Sequence, residues 1–372
     1  MEFRRAPHLV LYWNDELLVL KNYATGRSLK ADPFILQILE QFGGWRSREQ
    51  YLDAVPEEAR SSASRVIDLL HRHRWLRRRD DAPHEAEERF DEWAGWNPAA
   101  GLFHSATRNQ RFMQLDELID QLAVQAVSWP MPSPVKAYQG AQVTPLPAPS
   151  RRGAFLRTLR ERRTWRQFDR KPIDLAAFST LLDATAGVQQ WVTAKGEGRV
   201  PLKTSPSGGA RHPIELYVLA RRIRSLAPGV YHYASDRHVL ERVPGSPALP
   251  EFDALLPQQW WYREAAALVL FTAVFERTRW RYHSPRAYRA VLLEAGHVCQ
   301  TFCLSATSLG LAPFCSMAIA DAAAERLLGI DGISESVLYA AGVGTRPALP
   351  GTQVPGSLPK RSRAVATSKR RR

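Results

Sequence analysis

The chain has 372 residues and a formal net charge of +14 at neutral pH, and hydrophobic residues make up 45% of it. This composition excludes a largely disordered protein, and the length exceeds what one hydrophobic core commonly serves, so we expect more than one domain. The sequence has no run of eighteen apolar residues, and its N-terminus lacks the apolar core of a signal peptide. We therefore expect a cytoplasmic protein with no membrane partner.

The positive charge is concentrated at the C-terminus. Seven lysines and arginines and no acidic residue lie between Lys360 and Arg372. Such a run is typical of a solvated tail, so residues 349–372 are predicted to be a disordered basic tail. Because this tail supplies half of the net charge, we predict no nucleic-acid partner.

The first 80 residues have the pattern of a small domain. Residues 9–13 and 17–20 read as two strands, and three helices follow. Asp32 is the expected N-cap of the first helix, with Pro33 at its first position, and the other helices cover residues 47–55 and 57–73. Two strands followed by three helices resemble a winged helix.

A helical connecting segment is predicted over residues 81–127, and a proline-rich linker over residues 128–150. Residues 151–348 then read as an α+β domain. Its predicted helices cover residues 154–163, 175–186 and 321–328, and its predicted strands cover residues 214–220, 229–233, 239–243, 266–274 and 336–342.

A long helix is predicted between Ser284, its expected N-cap, and Gly310, its expected end. Its apolar face is broad enough to require burial within one subunit or between two. Glu294 and His297, one turn apart on it, are predicted to form a core pair. The cysteines at 299, 303 and 315 allow a metal or redox reading, but no CxxC or histidine lies at ligand spacing. We predict small buried thiols and no metal site.

Four short motifs carry chemistry. They are Arg162-Arg163-Thr164-Trp165-Arg166, the small-residue run from Ser205 to Pro213, the pair Arg281-Tyr282, and Gly342-Val343-Gly344-Thr345-Arg346. Guanidinium groups bind phosphate in a bidentate manner, and small-residue loops let backbone N–H groups approach a flat or anionic ligand. Each motif alone has an ordinary reading as a solvated basic helix end, a turn or a surface pair. Gly342 and Gly344 lack the following helix of a dinucleotide site, so we reject NAD binding there and expect phosphate capture by loop amides and Arg346.

Taken in order, these motifs resemble the nitroreductase-like family and, more narrowly, the SagB-type dehydrogenases, also called thiazole/oxazole microcin oxidases. The resemblance covers roughly residues 150–347. It rests on the following residues: Arg162, Arg163, Thr164, Arg166, Phe168, Pro206, Ser207, Gly208, Gly209, Ala210, Pro213, Glu215, Tyr217, Arg281, Tyr282, Arg286, Tyr288, Arg289, Glu294, Ala295, Gly296, His297, Gln300, Gly310, Leu311, Gly342 and Gly344.

The resemblance implies an α+β fold, a central antiparallel-rich sheet flanked by helices, and an FMN-dependent homodimer with each flavin at the subunit interface. Arg162, Thr164 and Arg166 would hold the ribityl chain, phosphate and pyrimidine edge, and Arg163 lies in the same motif. Further cofactor residues are implied in three places. Pro206, Ser207 and Gly208 would come from the partner subunit, with Gly209 in the same loop. A backbone N–H near Met317 and Ala318 would face flavin N5, and Gly344 and Arg346 would lie at the phosphate.

Arg281-Tyr282 stands where the azoline oxidases of the family carry Lys-Tyr. Arginine cannot act as a general base, so Tyr282 is the expected catalytic proton-transfer group and Arg281 an electrostatic aid. The N-terminal segment resembles modules that bind a leader peptide as an added strand, which predicts a leader-bearing precursor peptide and a cyclodehydratase as partners. The predicted function is oxidation of azolines to azoles or a similar Cα-desaturation. The alternatives are an NAD(P)H-dependent nitro- or quinone reductase and a peptide-binding scaffold or winged-helix regulator with a vestigial flavin fold.

Overall fold

The computed structural model describes residues 1–129, 133–136, 145–195 and 197–347. It divides into two compact units. The first unit comprises Met1–Arg108, Phe275–Leu292 and Ile333–Glu335, and the second comprises Asn109–Val274, Leu293–Gly332 and the chain from Ser336 on. About half of the predicted linker and all of the predicted basic tail lie outside the described residues. Within those residues, no helix combines the length and the apolar character needed to cross a bilayer.

Six strands and five helices precede residue 109. They are β1 (Glu2–Arg5), β2 (Leu9–Asn14), β3 (Leu17–Asn22), β4 (Arg27–Lys30), α1 (Pro33–Gln41), β5 (Arg46–Ser47), α2 (Arg48–Asp53), α3 (Glu57–Arg72), β6 (Leu76–Arg78), α4 (Glu85–Asp91) and α5 (Ala99–Thr107). The strands form two small antiparallel sheets, in the orders β5-β1-β6 and β2-β3-β4.

Local capping chemistry explains the first helices. The Asp32 side chain accepts a hydrogen bond from the Ile35 N–H, and Pro33 occupies the first turn, where its missing N–H costs nothing. Ser47 and Gln50 form a capping box that begins α2. These helices match the sequence prediction closely. Strands β1 and β4 were not predicted, because four residues carry too little alternation to be read as a strand.

Two apolar clusters stabilise the first unit. One packs α1 and α3 against the small sheets through Phe3, Ile38, Phe42, Ile67 and Leu70. The second is an aromatic cluster in which the rings of Trp93, Trp96, His104, Phe275 and Tyr288 lie at centroid distances between 5.0 and 6.4 Å. Both tryptophans are buried, so they serve packing.

The remaining elements complete the chain. They are α6 (Leu115–Ser128), α7 (Ala154–Glu161), α8 (Leu175–Ala186), β7 (Val188–Ala194), β8 (Gly198–Lys203), β9 (Ile214–Ala220), β10 (Gly229–Ala234), β11 (Val239–Arg242), α9 (Phe252–Leu255), β12 (Ala267–Val274), α10 (Phe275–Arg279), α11 (Ala287–Ser308), β13 (Leu311–Ser316), α12 (Asp321–Leu328) and β14 (Glu335–Thr345). The sequence prediction had no counterpart for the β7–β8 hairpin or for β13.

The second unit is built on a six-stranded sheet in the order β11-β10-β9-β12-β14-β13. The pairs β9–β10, β10–β11, β9–β12 and β13–β14 are antiparallel. Strand β12 is buried on both faces. On one face, Leu268 and Leu270 join a core with Leu327 of α12. On the other, the Phe271 ring packs on the Phe302 ring of α11, with 6.2 Å between the ring centroids. Burial on both faces explains why this strand is continuously apolar. The predicted α+β class with an antiparallel-rich sheet between helices is confirmed.

Helix α11 differs from its prediction in two respects. It begins at Ala287 rather than just after Ser284, because Ser284 closes a turn through a hydrogen bond from the Ala287 N–H to its carbonyl oxygen. Its apolar character is also one-sided: Val298 and Phe302 are buried, whereas Leu293 is 63% exposed and His297 is exposed. Glu294 and His297 therefore do not form the predicted core pair.

A substitution of Gly342 tests the packing of this sheet. A Cβ atom at Gly342 would overlap the Phe314 ring, which stacks on Tyr262 at 3.7 Å. Gly342→Ala is therefore expected to lower the free energy of unfolding by about 1–3 kcal/mol, the usual range for overpacking a core. Urea unfolding is the measurement, and Gly44→Ala is the matched control because a Cβ there meets nothing within 4 Å. Equal stability of both variants would contradict the packing described here.

Candidate functional site

The arginine segment, residues 162–166, follows α7 and lies beside the edge strand β13. The Arg162 N–H caps α7 by donating to the Thr158 carbonyl oxygen, and the Trp165 N–H donates to the Pro313 carbonyl oxygen at 2.9 Å. Three residues after the end of the segment, the Asp169 N–H donates to the Thr345 carbonyl oxygen at the end of β14. The segment is thus held at the edge of the main sheet, and its cations follow the C-terminal end of a helix, where the macrodipole favours positive charge.

The arginines of this segment differ in burial. Arg162, Thr164 and Arg166 are half-buried, whereas Arg163 is exposed and donates to the carbonyl oxygens of Arg160 and Arg162. In the described part of the chain, none of the three arginines forms an ion pair with a carboxylate. The Nε atom of Arg166 is buried and has no hydrogen-bond partner among the described residues.

A buried charged donor without a partner is costly, and native proteins rarely keep one unless a ligand or water satisfies it. Arg166 also lies near Tyr262. Burial raises the pKa of the Tyr262 phenol, and the nearby guanidinium opposes that shift. The segment therefore presents two half-buried cations without acidic partners, which is a suitable arrangement for an anionic ligand.

Arg346 and Gly344 have structural roles beside this segment. Arg346 donates to the carbonyl oxygens of Leu311 (2.9 Å) and Thr307 (3.0 Å), and its guanidinium lies 5.5 Å from the centroid of the Trp165 ring. A Cβ on Gly344 would stand 2.6 Å from the Phe168 ring. Arg346 thus joins the end of α11 and the start of β13 to the arginine segment.

The predicted strand over residues 336–342 extends further, so the expected loop after Gly342 is wrong for Gly344. Strand β14 continues to Thr345, and Gly344 pairs with Ala312 of β13. The physical reason is the unpredicted strand β13, which engages the backbone amides of the glycine run. A direct contact of Gly344 or Arg346 with a phosphate stays a prediction.

The glycine loop, residues 205–213, is fixed at both ends. The buried Ser205 hydroxyl hydrogen-bonds Thr301 of α11 at 2.8 Å, and the His212 N–H donates to the Ser207 hydroxyl at 2.8 Å. Gly209 has a φ of 61°, a left-handed conformation that favours glycine. Pro206 and Gly208 are exposed between these anchors.

Two side-chain contacts brace the same loop. Arg211 lies 2.9 Å from Glu197 of the β7–β8 hairpin, and the imidazole of His212 lies 3.7 Å from the buried Glu294 of α11. Sequence reasoning missed both pairs, since 14 and 82 positions separate their partners and no local signal joins them. In the described ranges, no hydrogen bond or ion pair joins Pro206, Ser207 or Gly208 to the arginine segment.

Met317 and Ala318 follow β13 directly. Met317 is 76% exposed, and the Ala318 N–H donates to the Ser316 hydroxyl at 3.1 Å. Gln259, which was not predicted, holds this turn by accepting from the Ser316 hydroxyl and donating to the Ala318 carbonyl oxygen. Because the Ala318 amide is already bonded, the Met317 amide is the better candidate for a contact with a ligand.

Arg281 and Tyr282 belong to the first unit, whereas the arginine segment and the glycine loop belong to the second. Tyr282 is half-buried. Its N–H donates to the Thr278 carbonyl oxygen, and its own carbonyl oxygen accepts from the Trp96 indole at 2.7 Å. The exposed Arg281 places its guanidinium 5.5 Å from the Tyr282 ring centroid.

A family model named Nitroreductase family matches residues 159–345, half of the chain. The chain belongs to the nitroreductase family, whose members are flavin-type oxidoreductases. The match begins in α7 and ends at the last residue of β14, so it takes in the arginine segment, the glycine loop and the whole six-stranded sheet.

Two curated relatives agree with this assignment. The trifolitoxin-processing protein TfxB of Rhizobium leguminosarum bv. trifolii is 32% identical over 173 residues, which are 45% of this chain and 46% of TfxB. MJ1384 of Methanocaldococcus jannaschii, named as a nitroreductase, is 34% identical over 151 residues, which are 41% of this chain and 72% of MJ1384. The chain thus spans less than half the length of TfxB.

Solved structures resemble parts of the chain. The Escherichia coli microcin synthetase McbBCD complex with truncated pro-MccB17 matches at 18% identity with a TM-score of 0.43, covering 62% of this chain and 92% of the matched one. A Desulfovibrio desulfuricans protein named as a nitroreductase was solved in complex with FMN. It matches at 18% identity with a TM-score of 0.36, and the match covers 57% of this chain and 93% of that protein's chain. The family assignment rests on the sequence matches.

Proposed function

We propose that this chain is an FMN-dependent oxidase of SagB type that converts azolines to azoles, or carries out a similar Cα-desaturation, in a peptide natural product. One observation carries the cofactor part of the proposal. Two half-buried arginines, one with a buried Nε that lacks a partner among the described residues, lie at the sheet edge of a nitroreductase-family domain. FMN carries a phosphate and a polar pyrimidine edge that such donors bind well.

The residues of this chain fit FMN in their donor chemistry. Arg162, Thr164 and Arg166 would bind the ribityl chain, phosphate and pyrimidine edge, and Arg346 would add positive charge near the phosphate. The turn after β13, fixed by Gln259, would present a backbone amide toward flavin N5. When bound, FMN supplies a two-electron acceptor for a hydride.

A homodimer is part of the proposal. Pro206 and Gly208 are exposed and Ser207 is half-buried on a loop whose ends are anchored, so Pro206 and Gly208 are available to a second subunit. The exposed side of α11 carries Leu293, and an exposed leucine of this kind suits a subunit interface. Each flavin would then take its phosphate donors from one subunit and its ring contacts from the glycine loop of the other.

Oxidation of an azoline to an azole removes one hydride and one proton from the ring. A bound FMN would accept the hydride together with both electrons of its C–H bond, and dioxygen would serve as the final electron acceptor. Tyr282 is proposed to move the proton, because an arginine side chain cannot act as a general base. Arg281, over the Tyr282 ring, would stabilise negative charge on the phenol oxygen.

The peptide part of the proposal is supported by a cavity in the N-terminal sheet region. A cavity of about 470 Å³ is lined by residues that include Arg5, Val10, Leu36 and Glu40. Beside it, β2 is an edge strand whose Trp13 is 70% exposed. An edge strand next to a mixed apolar and charged cavity can receive a leader peptide as an added strand. The names of TfxB and of the microcin synthetase complex favour a precursor peptide and partner enzymes, and we propose a cyclodehydratase as one such enzyme.

An anaerobic single-turnover experiment tests the activity. The full chain, reconstituted with FMN, is mixed with a leader-bearing peptide that contains one thiazoline ring, and separately with NADPH. We expect loss of the flavin's visible absorbance with the peptide, together with loss of two hydrogen atoms from the ring by mass spectrometry. Rapid bleaching by NADPH and none by the peptide would establish the reductase instead, and a chain that retains no flavin would contradict both.

A further inference from the structure

Three cysteines that are separated in sequence meet in the second unit. Cys299 and Cys303 lie one turn apart on α11, and Cys315 lies on β13. Gly310, with a φ of 73°, reverses the chain between helix and strand, so β13 returns alongside the last turns of α11. The three Sγ atoms all lie within 4.8 Å of one another.

We propose that these three thiols form a trigonal site for a soft monovalent metal cation of the Cu(I) class. Thiolate ligands select soft metals, and Zn²⁺ at a structural site takes four ligands in a tetrahedron. In the described part of the chain, the cluster contains sulfur atoms alone, without a histidine or carboxylate ligand. A three-sulfur set suits a cation that accepts trigonal coordination.

The distances fit such a site after a small adjustment. Metal–sulfur bonds of about 2.3 Å place three trigonal sulfur atoms about 4.0 Å apart. The observed limit of 4.8 Å therefore requires each pair to close by less than about 1 Å, which side-chain rotation can provide. The Tyr339 hydroxyl donates to Cys315 Sγ at 3.4 Å and would orient that ligand from outside the first coordination sphere.

The surroundings also suit a bound cation. Cys299 and Cys303 are 2% and 3% exposed, whereas Cys315 is half-buried, so β13 provides the route of entry. The guanidinium of Arg162 interacts electrostatically with the Cys315 thiol. Arg162 would offset part of the negative charge of three thiolates. Binding is not a redox step: each thiol releases its proton as a sulfur–metal bond forms.

The test uses the full chain, reduced and freed of metal under anaerobic conditions. Cu(I) is supplied as the complex of a chromophoric chelator, and transfer to the protein is followed by the colour of the chelator. We expect one equivalent to be withdrawn by the wild type and the affinity to fall at least 10-fold in each of Cys299→Ser, Cys303→Ser and Cys315→Ser. Tyr339→Phe, which keeps all three sulfur atoms, is the matched control and should still withdraw one equivalent.

Alkylation of the wild type gives a second readout that does not depend on the variants folding. Cu(I) should protect the half-buried Cys315 from a maleimide reagent, as read by mass spectrometry. Failure of the wild type to withdraw Cu(I), or labelling of Cys315 in the Cu(I)-loaded protein at the rate of the metal-free protein, would overturn the site. Zn²⁺ withdrawn from its own chelator as strongly as Cu(I), with the same loss in the serine variants, would overturn the assignment to a soft monovalent cation.

Discussion

Arg166→Ala should purify with much less FMN than the wild type, and its Kd for FMN should rise by about 10- to 100-fold. The buried Nε of Arg166 lacks a partner among the described residues, so a bound flavin would supply its only hydrogen bond there. A hydrogen bond to a charged group contributes about 1.5–3 kcal/mol, which corresponds to this range of Kd. Flavin fluorescence during titration of the flavin-free full chain measures the Kd.

Three further variants separate this role from general loss of positive charge. Arg166→Lys keeps the charge but loses the planar fork, so its Kd should lie between those of wild type and Arg166→Ala. Arg163 is exposed and donates to nearby carbonyl oxygens, so Arg163→Ala should change the Kd less than Arg166→Ala does. Arg170→Ala is the matched control, because Arg170 is 82% exposed and pairs with Glu264. An Arg166→Ala protein with wild-type flavin content would refute the cofactor site.

Tyr282→Phe should lower turnover of the azoline peptide by about 100-fold or more, the usual contribution of a positioned proton-transfer group. Its FMN content should not change, because the proposed cofactor donors are Arg162, Thr164 and Arg166. The fold should also persist, since Tyr282 is anchored through its backbone groups to Thr278 and Trp96. Single-turnover flavin reduction by the thiazoline peptide is the measurement.

Two comparisons show whether the effect belongs to this hydroxyl. Arg281→Gln should lower turnover less than Tyr282→Phe does, because it removes only a stabilising charge. Tyr231→Phe, which removes another hydroxyl of the chain that hydrogen-bonds the Ala227 carbonyl oxygen, should leave turnover close to wild type. Unchanged turnover in Tyr282→Phe would remove this residue from the mechanism and leave the proton without an assigned acceptor.

Several elements could be predicted from the sequence because their signals are local. Helices α8 and α12 and strand β9 have the predicted bounds, and Asp32 is the predicted N-cap of α1. Caps, apolar periodicity and turn residues act within a few positions, so they can be read without a partner. The arginine segment was also found in this way, as a dense run of guanidinium groups next to a helix end.

Other elements depend on distant partners. Strand β13 was not predicted, although it engages β14 along its length and contacts the arginine segment through Pro313. Glu294 was predicted to pair with His297, but its histidine neighbour is His212. This contact was missed for the same reason. A short strand such as β13 or a single buried acid carries no mark of its partner, because the partner is chosen by the packing of the whole sheet.

The sequence by itself determined the class of this protein: an α+β nitroreductase-family domain, its arginine segment, its glycine loop and the order in which they occur. Only the tertiary structure decided which arginines are half-buried, that Gly344 lies in a strand, and that three cysteines meet. Residue types and short spacings fix chemistry that acts over one or two turns. The burial of side chains, and contacts between residues 12 or more positions apart, follow from how β13 and α11 pack. No local sequence pattern records that packing.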